Sequence, residues 1–130
     1  MAARGVTLLF DAHMPPGLVD ALTSLGESVQ HVNKIFAPGT PDETWIRHAG
    51  EREWCILSRD VRITRNGHEA AALRAYQVGA FFLLPGKHSP RLCQTIQTVI
   101  KHWPEIKRIA AAEPRPFQYE VGERSVKRLR

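Results

Sequence analysis

Cysteine is scarce. Only Cys55 and Cys93 occur in 130 residues, and neither stands at C-x-x-C or Cys/His zinc spacing, which excludes a disulfide framework and a zinc ribbon. A reducing, cytoplasmic location is the expectation. Long apolar runs are lacking too: Val6 to Phe10 stops at Asp11, far short of a signal h-region or the ~20 residues of a membrane span. No membrane partner is expected. There is no Gly-rich phosphate loop, no G-x-S-x-G elbow, no H-E-x-x-H and no zinc-deaminase signature, so those chemistries drop out.

Acid is also in deficit, with 13 Asp and Glu against 18 Lys and Arg, a net charge of +5. Residues 101–130 hold eight basic and four acidic side chains, so most of the excess sits there. A basic stretch on a nearly neutral body suits a polyanion such as RNA, or an acidic protein partner. It is also what a plain solvated tail looks like.

Composition is otherwise that of one globular domain, 43% apolar and 24% charged, and about 130 residues are enough for a single core. Val6 to Phe10 reads as a strand buried on both faces. Pro15 and Pro16 open a helix with Leu18, Val19, Leu22 and Leu25 as its stripe, and Gly26 stops it. Ser28 to Val32 is a weaker strand. Thr40-Pro41-Asp42-Glu43 carries a capping-box signature for a second helix, with Trp45, Ile46 and Ala49 on its buried side. Trp54 to Leu57 is a third strand. Asn66 and Glu69 start a helix over Ala70 to Tyr76 that Gly79 would end. Ala80 to Leu84 is the fourth strand, with Phe81 and Phe82 in the core. Ser89-Pro90 starts a last helix, which carries Leu92, Ile96, Val99, Ile100 and Trp103 and which Pro104 would close. Phe117 to Val121 reads as a short edge strand. Such alternation implies an α/β fold, a parallel sheet between helical layers.

In parallel sheets the functional site lies outside the carboxyl ends of the strands. Asp11 follows the first strand and Asp60 the third, so both carboxylates leave the same edge. Asp42 and Glu43 open a helix that can start there as well. Acids gathered this way repel unless a cation neutralises them, and hard oxygen donors suit Mg²⁺ or Mn²⁺. Such an ion serves phosphodiester hydrolysis. Each residue also has a plain structural role: Asp42 and Glu43 suit a helix first turn, and Asp11 and Asp60 suit turns that accept backbone amides. Arg59, Arg62 and Arg65 read either as surface charge or as phosphate contacts, and His13 and His68 as polar surface. A phospho-acceptor receiver domain fits less well, because Asp11 stands alone where a receiver pairs its acids and Lys87 follows the fourth strand rather than the fifth.

The ordered strings LLFDAHMPPGLVDALTSLGESVQHV, GTPDETW, CILSRDVRITRN and GAFFLL resemble the compact PIN-like domains related to VapC-type toxins, over about Val6 to Trp103. The resemblance implies a three-layer α/β/α PIN-like fold with a central parallel sheet over residues 1–112, followed by a basic C-terminal extension, 113–130. It implies a Mg²⁺- or Mn²⁺-dependent endoribonuclease, the toxin of a toxin–antitoxin pair. Asp11, Asp42 and Asp60 would be the catalytic acids and, with Glu43, the metal ligands. Ser58 would take the hydroxyl position of the Ser/Thr-x-Asp element and contact substrate, and Arg59, Arg62, Arg65 and Asn66 would meet RNA or position the acids. Implied partners are RNA, a cognate antitoxin that fills the acidic groove, and a second copy in a homodimer. The pattern departs from fuller PIN nucleases in lacking an acid over Ala80 to Pro90, where Lys87 stands instead and Glu69 is the only nearby candidate. A non-catalytic module binding RNA or protein is the rival reading.

Overall fold

The structure, a computed structural model, describes residues 5–59, 67–84 and 92–129. Its elements run β1 Leu8–Phe10, α1 Pro16–Ser24, β2 Val29–His31, α2 Val32–Ile35, α3 Asp42–Glu51, β3 Cys55–Ser58, α4 Gly67–Ala75, β4 Gly79–Leu83, α5 Leu92–Ala112, β5 Phe117–Val121 and β6 Val126–Arg128. The strands form one sheet in the order β2-β1-β3-β4-β5-β6, parallel throughout except for the antiparallel β5–β6 hairpin. This is the α/β architecture expected.

β1 is buried at every position, which explains its unbroken Leu-Leu-Phe: a strand covered on both faces has no polar side to alternate. Leu8, Phe10, Cys55, Leu57, Phe81 and Phe117 pack beneath Leu18 and Leu22 of α1 and Val99 and Ile106 of α5. Leu9, Ile56, Ala80 and Phe82 point the other way, under Trp45 and Ile46 of α3 and Leu73 of α4. Three layers result, and Phe81 and Phe82 are core residues as expected. α1 ends as its sequence suggests: Gly26 takes φ +87, while Gly26 N–H bonds Thr23 O at 3.0 Å and Glu27 N–H bonds Leu22 O at 2.9 Å, a Schellman closure.

Four local expectations are corrected. Thr40 and Glu43 do not form a capping box. The Thr40 hydroxyl donates to Ala37 O at 2.6 Å, an acceptor in its own turn, and the N-cap position of α3 is Pro41 with no side-chain cap. Gly79 begins β4 instead of ending α4. The left-handed residue that closes the helix is Gln77, φ +53, while Gly79 lacks a side chain because the Phe117 ring occupies that space. Pro104 does not close α5, which runs on to Ala112. The bond it cannot make would go to the carbonyl of solvent-exposed Ile100, and Ile106, Ile109 and Ala110 prolong the buried stripe beyond it. Finally, Phe117–Val121 is an inner strand, held between β4 and β6, so among the described strands the edge is Val126–Arg128. The short α2, four residues after β2, had no signal of its own in the apolar pattern.

Candidate active site

β1 connects to β2 on one side while β3 lies on its other side, so the chain leaves these strands in opposite directions and opens a crevice at their carboxyl ends. Register fixes what stands there. Phe10 pairs with Leu57, which sets Asp11 and Ser58, the next residues, side by side. Asp11 N–H continues the ladder to Leu57 O at 3.1 Å. The Ser58 hydroxyl donates to Asp11 Oδ2, and the His13 amide donates to Asp11 Oδ1 at 3.1 Å. Asp11 is 2% exposed and Ser58 fully buried.

Burial pushes the Asp11 carboxyl above its ordinary range. The Ser58 hydroxyl, the His13 charge and the amides of His13 and Arg59 pull it only partly back. A carboxylate held at such a cost is stabilised by any cation that reaches it.

Asp42, half-buried in the first turn of α3, faces the same volume. Its Oδ1 accepts the Trp45 indole N–H at 3.0 Å. Asp11, His13, Asn33, Thr40, Asp42 and Trp45 are among the residues lining a cleft of about 60 Å³, room for a few waters or a partly hydrated ion. The wall opposite α3 is fixed by His31, which is fully buried. Its Nδ1 accepts the Asn33 amide at 3.1 Å, so Nε2 carries the hydrogen and donates to Met14 O at 2.8 Å.

Asp11 and Asp42 thus meet at one cleft. Glu43 is exposed and is not among the lining residues. Arg59 is half-buried and directly follows Ser58, which is adjacent to Asp11. Asp60, Arg62, Arg65, Asn66 and Lys87 lie outside the described residues. Glu69 is half-buried in the first turn of α4. Among the described residues no group of three His, Cys, Asp or Glu is placed to hold a metal ion.

Trp45 and His31 were not singled out as site residues from sequence. The Asp42–Trp45 spacing, one helical turn, was a readable signal; the His31 bonds span 17 residues in one direction and had none.

A profile of the PIN-like domain family matches residues 6–84. The chain belongs to that family. No curated protein and no solved structure matches it. The matched span of the PIN-like domain ends with the residue after β4 and includes both cleft acids, Ser58 and Asp60. No described helix is long and apolar enough to cross a membrane.

Proposed function

We propose that this PIN-like domain is a divalent-metal-dependent endoribonuclease, the toxin of a toxin–antitoxin pair, acting in the cytoplasm. The observation that carries the reading is the buried Asp11 carboxylate sharing a small cleft with Asp42 at the switch point of the sheet. The donors suit a hard cation: both groups are carboxylates, and the Ser58 hydroxyl and the His13 and Arg59 amides on Asp11, and the Trp45 indole on Asp42, leave acceptor capacity on each. Two carboxylates are enough for Mg²⁺ or Mn²⁺, which keep several waters. Asp60, two residues beyond Ser58, is assigned as the third ligand and Glu43 as an outer one. Bound there, the ion supplies Lewis-acid stabilisation of a phosphodiester and a water of lowered pKa.

The remaining roles belong to the chain. Ser58 holds Asp11 in place, so its hydroxyl acts on RNA only through that carboxylate. Trp45 aims Asp42, and Arg59, Arg62, Arg65 and Asn66 hold phosphates over the cleft. The products are a 5′-phosphate and a 3′-hydroxyl. An antitoxin would close the site with a basic side chain between the acids, and pairing of two copies belongs to the same reading.

Titration with Mn²⁺ by calorimetry, followed by an RNA-cleavage assay, tests it on wild type and on the Asp11→Asn, Asp60→Asn double variant. Saturable binding and cleavage, both lost in the variant at unchanged melting temperature, support the enzyme. The eight basic side chains of residues 101–130 favour a second reading, a non-catalytic RNA- or protein-binding module. RNA binding without cleavage, indifferent to the double substitution, would establish that one instead.

A further inference from the structure

The basic C-terminal region has no part in the cleft, and its structure offers something specific. β6 is the last strand of the sheet, with no described strand beyond it. Its register tells which backbone groups face outward. Gly122 N–H bonds Ser125 O at 2.9 Å and Leu129 N–H bonds Gln118 O at 2.7 Å, so by the two-residue alternation of an antiparallel ladder Ser125, Lys127 and Leu129 face β5. Val126 and Arg128 therefore turn their N–H and C=O groups away from the sheet. Such a row is a template for another strand.

The side chains around it select the strand. Arg124, Lys127 and Arg128 are exposed. Lys101 reaches the same hairpin, donating to Glu123 O at 2.9 Å. Arg128 is only loosely engaged, 3.9 Å from Glu113. A second copy paired across this edge would bring Lys127 and Arg128 against like charges, which is unfavourable. RNA would satisfy the charge, yet it lacks the in-register alternation of N–H and C=O that matches a strand edge. An extended peptide with acidic side chains meets both requirements. Leu129, 43% exposed on the Lys127 face, adds an apolar contact for it.

We propose that the β6 edge is a docking strand for an extended acidic segment of a partner protein, which adds to the sheet as a seventh strand. Shortness and lysine protect natural edges from indiscriminate pairing; here they leave the edge open to opposite charge alone. The site is independent of the cleft, at the far side of the sheet from β1.

The probe is a synthetic peptide of about eight residues alternating Glu and Val, and the readout is amide hydrogen exchange of the whole chain followed by NMR. Protection of the Val126 and Arg128 amides by the Glu/Val peptide is expected, and it should weaken at least about tenfold in the Lys127→Glu, Arg128→Glu variant. That variant should instead accept a Lys/Val peptide. Arg128→Pro removes one outward N–H and should also lose binding; should it fail to fold, the charge reversal still decides. No protection, protection indifferent to charge reversal, stronger protection of these amides by an RNA oligonucleotide, or self-association through β6 would each overturn the proposal.

Discussion

The two ends of the sheet differ in the opposite sense from their size. At the amino ends of the strands an open groove of about 640 Å³ is lined by Arg52, Glu53, Trp54, Tyr76, Glu113 and Arg115 among others. At the carboxyl ends the cleft is about a tenth of that. The large groove holds charges already spent on structure: Arg115 donates to Glu53 O at 2.5 Å and to Ala110 O at 3.3 Å, and Arg52 lies 5.9 Å above the Trp54 ring. The small cleft holds a carboxylate that the fold buries against its preference for water. Chemistry follows the charge held at a cost, and volume is a poor guide to it.

The sharpest way to break this comparison is Asp11→Asn. If the small cleft is the active end, RNA cleavage should fall at least about 100-fold, close to 3 kcal/mol in the barrier. The sign of the stability change is separate. Burial raises the folded-state pKa of Asp11 above its unfolded value of 3.8, so the folded chain holds that proton more tightly. The favourable contribution is complete below pH 3.8 and is lost as pH rises through the raised value. At neutral pH the ionised carboxyl is the unfavourable form, so the substitution should leave the melting temperature unchanged or raise it, with the acid-side slope of stability reduced. A large drop in melting temperature would make Asp11 a structural residue.

Trp45→Phe is a finer test, since it removes the indole N–H from Asp42 while keeping an aromatic ring at this buried position. Mn²⁺ affinity measured by calorimetry should weaken about 10- to 100-fold, the usual effect of losing a group that orients a ligand, with a modest fall in melting temperature from the smaller ring. At the other end, Arg115→Ala deletes two hydrogen bonds from a charged donor and should cost about 2 kcal/mol in urea unfolding, with cleavage unchanged. A loss of cleavage there would give the large groove a part in the reaction. The smallest effect is expected at His48, whose ring contacts Phe36 at 5.0 Å and Trp54 at 5.2 Å. Burial, with the Arg52 charge, lowers its pKa below the ordinary 6.5. Stability from this packing is thus complete above pH 6.5 and declines as pH falls below it, a small decline that His48→Gln should abolish in melts taken from pH 7 to 5.

Legibility varied with the range of the interaction. β1, β3 and β4 were readable because an apolar run too short for a helix has few other uses. α1 was readable from its stripe and Gly26. The capping box at Thr40 was misread because a hydroxyl takes whichever acceptor the turn brings nearest, and that was Ala37 O. Pro104 was misread because a local rule about helix ends met a buried stripe that continues past it. In the cleft, Asp11 was legible as an acid at a strand end, and Asp42 as an acid at a helix start. That the Ser58 hydroxyl belongs to Asp11 was not legible, since it depends on the pairing of Phe10 with Leu57 across 47 residues.

By itself the sequence determined the alternation of strands and helices, the edge at which the acids emerge and the resemblance to PIN-like domains, because each is written in local patterns of apolar residues, turn formers and charge. Tertiary structure alone decided the strand order, the burial of Asp11, the partners of its two oxygens and the exposure of the β6 edge. These depend on which segments lie side by side, and the register of a parallel sheet is set by the packing of both its faces at once.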